Sequence, residues 1–181
     1  RCILRPLMMT TGWIDSMSRP FAIEVGVVPT EDAKVVETHR LLSRLHQRIS
    51  CLVDGDDEGL LYAGKLRNVA SPPASIIRWN NGATIEDTVG WILLADDANA
   101  LGKRGELSQV APASAADVVT YLKSKKMDLI AYEHVAESIS TTPACRSRAA
   151  DLLAGLACAC AGSNATARFV RGADGVWVFQ P

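Results

Sequence analysis

The chain has 181 residues, 48% apolar and 22% charged, enough for one domain with a real core or one domain plus a small appendage. Its formal net charge of −1 excludes a protein held to nucleic acid by bulk charge, so such a role would need a local basic patch or a bridging metal. No run reaches the ~18 apolar residues of a membrane span, no signal peptide is visible, and Cys2, Cys51, Cys145, Cys158 and Cys160 lack the spacing of a disulfide framework, which points to a reducing, cytoplasmic setting.

Residues 1–20 carry no regular pattern; residues 8–12 read as loop, and Pro6 and Pro20 are breaks. The start at Arg1, without an initiator Met, is expected of a fragment of a longer protein. Residues 21–28 are rich in β-branched side chains between two prolines and predict a strand. Thr30, Glu31 and Asp32 mark a helix N-terminus, with the helix expected to about Arg48 and Val35, Leu42, Leu45 and Ile49 on its apolar face. Residues 50–53 predict a short buried strand ending at Asp54, 58–67 a helix, 71–73 a loop and 75–79 the next strand. After an Asn80-Asn81-Gly82 turn, Thr84 opens a helix with Val89, Ile92 and Leu93 on its apolar side. Strand and helix alternate at these lengths in α/β proteins, where a parallel sheet is flanked by helices. Beyond residue 97 the pattern changes. Residues 99–114 read as loop, 115–123, 128–139 and 143–161 as helices with Pro143 in a first turn, and 165–170 and 176–179 as a terminal β-hairpin.

The chemistry concentrates in Asp54-Gly55-Asp56-Asp57-Glu58-Gly59. Asp54 lies where a strand delivers it to the carboxyl edge of a sheet, the usual place for a ligand, and Asp56 brings a second carboxylate to the same opening. Close carboxylates repel unless a cation sits among them, and oxygen donors of this kind suit Mg²⁺ or Mn²⁺. A solvated helix cap explains the same residues without a metal. An EF-hand loop is excluded, because its twelfth position would be Lys65 where a bidentate Glu is required. Glu86 and Asp87 follow the next strand, 30 residues after Asp56, about one βαβ step, although acids in a first helical turn also suit the dipole. Lys125 and Lys126 precede the helix expected at 128, where a lysine opposes the dipole and can serve a phosphate; a solvated charge pair is the alternative. His39, His46 and His134 have no metal-ligand spacing, and His39 and His46 read as surface residues. Cys158-Ala-Cys160 lacks a second ligand pair at zinc spacing and reads as buried small hydrophobes. No P-loop, nucleophile elbow or GxGxxG is present.

Together these segments resemble a Toprim domain of the overcoming-lysogenization-defect (OLD) type, found in ATP-dependent endonucleases. Residues 52–59 are similar to the Toprim DxD segment, residues 84–89 (TIEDTV) to the (I/L)ED segment, and Lys126-Met127-Asp128-Leu129 to the later lysine segment, with Lys125 as fallback. The resemblance spans roughly 21–140. It implies a Toprim-like α/β domain over 1–140, with a C-terminal helix and hairpin over 141–181 packed on the same domain. It further implies hydrolysis of DNA phosphodiester bonds, with Asp54, Asp56, Glu86 and Asp87 holding Mg²⁺ or Mn²⁺ and Lys126 or Lys125 stabilising the phosphate. It implies DNA engaged through the metal and an upstream ATPase domain as partners; a homodimer through the Ala- and Leu-rich second half goes with the non-catalytic alternative, and no membrane partner is expected. Members also carry an early Glu-Gly-x-Thr strand end. Glu24 lacks that context, so the glutamate strand is expected before Arg1 and the chain is expected to be N-terminally incomplete. A Toprim-like interaction or dimerisation domain without catalysis is the alternative. A phosphatase with a phosphorylated aspartate fits less well, because Asp57-Glu58 stands where a Thr or Val is usual.

Overall fold

The computed structural model describes Leu4, Leu7, Met8 and residues 27–102, 114–125, 129–163 and 167–181. Its elements in chain order are α1 (Val35–Leu42), β1 (Ser50–Val53), α2 (Asp57–Arg67), β2 (Ser75–Arg78), α3 (Ile85–Leu93), α4 (Asp97–Gly102), α5 (Ala115–Ser124), α6 (Leu129–Thr141), α7 (Pro143–Ala161), β3 (Phe169–Arg171) and β4 (Trp177–Phe179). The fold is mixed α/β, with a mostly parallel sheet closed by an antiparallel hairpin. The chain divides into two compact units, Arg1–Pro29 with Ile85–Leu153, and Thr30–Thr84 with Ala154–Pro181. No described helix is long and apolar enough to cross a membrane.

The unit of Thr30–Thr84 and Ala154–Pro181 holds the sheet, in the order β1-β2-β4-β3. β1 and β2 are parallel from Ser50 beside Ser75 to Val53 beside Arg78. β4 joins β2 in parallel, and β3 pairs with β4 antiparallel through Phe169–Phe179 and Arg171–Trp177. Alternation places Cys51, Val53 and Ile76 together, and they are buried with Val35 of α1 and Ala63 and Leu66 of α2. The hairpin is fixed by an aromatic cluster: Trp79 meets Phe179 edge-on at 5.6 Å, and Phe179 meets Phe169 at 5.4 Å. Gly175 takes the positive φ (83°) that the connection needs. Arg67, at the end of α2, pairs with Asp174 of that connection at 3.3 Å.

The unit of Arg1–Pro29 and Ile85–Leu153 is helical in its described residues. α3 and α5 approach closely, because Gly90 has Val119 Cγ2 where a Cβ would stand, 2.5 Å away. Ser114 and Asp117 form a reciprocal capping box at the start of α5. Arg148 of α7 donates to the Trp91 carbonyl at 2.7 Å and lies over that indole, 5.1 Å from its centroid.

Several expectations shift. The first helix ends at Leu42, not near Arg48: residues 43–45 form a tight turn, Ser43 Oγ donates to the Arg40 carbonyl, and Leu45 is 79% exposed, so burial does not reward extending the helix through it. The strand expected at 21–28 falls largely outside the described residues, and Val27 and Val28 are irregular and exposed. The loop expected over 99–114 begins inside α4, and its residues 103–113 lie outside the described residues. His39 is buried at 4% exposure on the Val35 face of α1, not on the surface. Its Nδ1 has no hydrogen-bond partner among the described residues, and burial lowers its pKa below the ordinary 6.5. His46 is exposed as expected.

Candidate functional site

The acidic turn leaves the carboxyl end of β1. Asp54 is half-buried there. Trp79 N–H donates to the Val53 carbonyl at 3.3 Å, Gly55 N–H to the Ala83 carbonyl at 2.7 Å, and Gly82 N–H to the Gly55 carbonyl at 2.8 Å. These bonds lash the turn after β1 to the turn after β2, so both strand ends open on one edge. The approach leaves no room for a side chain. A Cβ on Gly55 would stand 1.8 Å from the Asn80 carbonyl oxygen, and one on Gly59 would stand 1.9 Å from the Asp54 carbonyl oxygen. Both glycines are therefore required by backbone packing.

Asp56 is the N-cap of α2. Its extended backbone (φ −76°, ψ 179°) lets Oδ1 accept from Gly59 N–H at 2.8 Å. Asp57 and Glu58 are exposed in the first turn, where negative charge suits the dipole. The cap reading is thus satisfied by Asp56. The cap bond uses one carboxylate oxygen and also fixes the orientation of the other.

Glu86 and Asp87 open α3 in the helical unit. Glu86 is buried at 4% exposure, and Tyr132 of α6 donates its hydroxyl to Oε1 at 2.9 Å. Asp87 receives Lys123 of α5 on both oxygens, at 2.8 and 2.9 Å. Lys125 is exposed and caps the C-terminus of α5, its N–H reaching the Tyr121 and Leu122 carbonyls. A cation at a helix C-terminus is favourable, so the end of α5 accounts for Lys125. Lys126 lies outside the described residues. Sequence reasoning missed Lys123 and Tyr132, which meet candidate carboxylates 36 and 46 residues away; one sequence carries no signal for pairs so distant.

As donors, the Asp54 and Asp56 carboxylates fit a hard divalent cation. Mg²⁺ is commonly held by one or two carboxylates, with waters and substrate phosphates completing its shell. No group of three or more His, Cys, Asp or Glu among the described residues is placed to hold a metal ion, so the turn would supply such a pair and no fuller cage. Cys51 is a poor thiolate ligand: it is buried and its pKa is pushed up to about 12, chiefly by burial and then by Cys160, which keeps it protonated. Compared with known proteins, the chain matches no family model, no curated protein and no solved structure.

Proposed function

We propose that the chain is a Toprim-like domain of a metal-dependent nuclease that hydrolyses DNA phosphodiester bonds, within a larger ATP-dependent endonuclease of the cytoplasm. The observation that carries the reading is the pair Asp54 and Asp56 at the carboxyl end of β1, on a turn bonded to the turn after the parallel neighbour β2. Asp54 and Asp56 would hold Mg²⁺ or Mn²⁺. The ion, when bound, would supply charge stabilisation at the phosphate and an activated water. The chain supplies orientation: the cap bond from Gly59 N–H holds the Asp56 carboxylate in one setting, and the glycine contacts hold the turn. Glu86 and Asp87, in the helical unit, are the other metal-ligand candidates that the Toprim resemblance implies; Tyr132 and Lys123 already hold their carboxylates, and Lys126 or Lys125 would meet phosphate charge.

A second reading has its own observation. Asp56 caps a helix, Glu86 has a tyrosine hydroxyl and Asp87 has a lysine, so these three carboxylates are stabilised without any metal. That is what a Toprim-like interaction or dimerisation domain without catalysis would retain. Nicking of supercoiled plasmid with Mn²⁺ separates the two. The nuclease reading expects nicking by the wild-type chain and none by Asp54→Ala/Asp56→Ala. A wild-type chain that binds Mn²⁺, forms a dimer in light scattering and leaves the plasmid intact supports the interaction domain.

A further inference from the structure

The sheet carries a second feature at the same edge as the acidic turn. A cleft of about 340 Å³ is lined by Arg78, Asn80, Asn81, Val170, Val178 and Gln180, all from the sheet-bearing unit. Arg78 ends β2. Val178 lies beside it on β4 and Val170 beside Val178 on β3, so two valines form a floor next to the guanidinium. Gln180, just past β4, is held by its N–H to the Arg168 carbonyl at 2.8 Å. The cleft shares Asn80 with the acidic turn, because the Asn80 carbonyl is the group that packs on Gly55.

The charge in this cleft is unbalanced. Arg78 is half-buried, and Nη1 donates to Asn81 Oδ1 at 2.7 Å, which aims the guanidinium. No carboxylate pairs with it among the described residues; its partner is a neutral amide. A guanidinium presents five donors in a planar fork, and a partly buried one is stabilised by an anion that fills that fork. The remaining polar lining is amide, which can donate to an anion and adds no competing negative charge. The volume is near the lower end of small-ligand pockets, roughly 300–1,000 Å³. It suits one phosphate with its sugar against the valine floor.

We propose that this cleft seats a phosphodiester group of a nucleic-acid strand next to the acidic turn, with Arg78 as its anion-binding residue and the side-chain amides of Asn80 and Gln180 as secondary donors. The choice of nucleic acid as the phosphate carrier rests on the nuclease reading. The seat also gives a chain of net charge −1 a local means of holding a polyanion beside two aspartates.

The test is a fluorescence-anisotropy titration of a short labelled DNA oligonucleotide in EDTA over a series of salt concentrations, with a free mononucleotide as competitor. The wild-type chain is expected to bind, and to be displaced far less well by the mononucleotide than by unlabelled oligonucleotide. Arg78→Ala is expected to weaken binding about fivefold or more and to lower the salt slope by about 1, the signature of one lost phosphate contact. Arg78→Lys keeps the charge and is expected to keep the slope. Both variants should melt at the wild-type temperature. Three results would overturn the seat: no oligonucleotide binding by the wild type, unchanged affinity and slope in Arg78→Ala, or a mononucleotide that competes as well as the oligonucleotide. Because the assay excludes metal, it is separable from catalysis. Arg78-dependent binding by a chain that never nicks plasmid keeps the seat and sinks the nuclease reading. Nicking with Arg78-independent binding does the reverse.

Discussion

Gly55→Ala tests the geometry on which the acidic turn depends. The added methyl would lie 1.8 Å from the Asn80 carbonyl oxygen and 2.9 Å from the Ala83 carbonyl oxygen, both backbone atoms that cannot rotate away. The turns must separate. Overpacking of this kind costs about 1–3 kcal/mol. Separation also strains two hydrogen bonds, Gly55 N–H to Ala83 and Gly82 N–H to Gly55, each contributing roughly 0.5–1.5 kcal/mol. A loss of about 3 kcal/mol follows, which lowers Tm by roughly 6–12 °C in a domain of this size. Gly64→Ala is the internal control. It lies in the middle of α2 with nothing within 4 Å of the new Cβ, so it should gain about 0.5–1 kcal/mol from helix propensity. Urea denaturation and calorimetric melting of the two variants read the difference directly. A Gly55→Ala protein within 0.5 kcal/mol of wild type, taken as roughly the size of a neutral surface change, would refute the close approach of the two turns.

Asp56→Asn should keep the N-cap and the stability while weakening Mn²⁺ binding, whereas Asp56→Ala should lose both, with about 1 kcal/mol from the cap, as denaturation and calorimetry on the same preparations would show. Tyr132→Phe removes the hydroxyl that donates to buried Glu86 and should cost about 1–3 kcal/mol in urea denaturation; Asp87→Asn, whose pair with Lys123 is partly exposed, should cost less than about 1 kcal/mol. His39 contributes a pH dependence of known sign. Its folded-state pKa lies below the ordinary 6.5, so the unfolded chain takes the proton first. Stability should be complete above that value and fall as pH drops through it toward the lower folded-state pKa. His39→Leu should flatten that slope in pH-dependent denaturation.

Much of this architecture was legible where local signals agreed. Residues 50–53 form an apolar run stopped by Asp-Gly, and β1 occupies those residues. Pro143 marks the first turn of a helix that runs to Ala161, as its pattern predicts. The parallel pairing of β1 and β2 follows from the helix between them. Legibility failed where distant partners decide. Leu45 continues the helical period of α1, yet it is exposed and the helix ends first. His39 stands four residues after Val35 on the buried face, a spacing present in the sequence, but its burial depends on what packs over that face. The placement of Asp54 at the strand end and Asp56 at the helix start was readable because strand, turn and cap are contiguous. The group that makes Gly55 necessary was not, since the carbonyl it meets is Asn80, on the following strand's turn. The same limit hid Lys123 and Tyr132, each on a different helix from the carboxylate it meets.

The proposed function stands or falls on whether the aspartates after β1 hold a divalent metal. Calorimetric titration of Mn²⁺ into the wild-type chain and into Asp54→Asn/Asp56→Asn tests it most directly, because the paired amides keep the size and cap geometry and remove only the charge. Saturable binding by the wild type and its loss in the double variant are expected, with both proteins equally folded. Equal heats for the two proteins, or no binding by either, would contradict the proposed function.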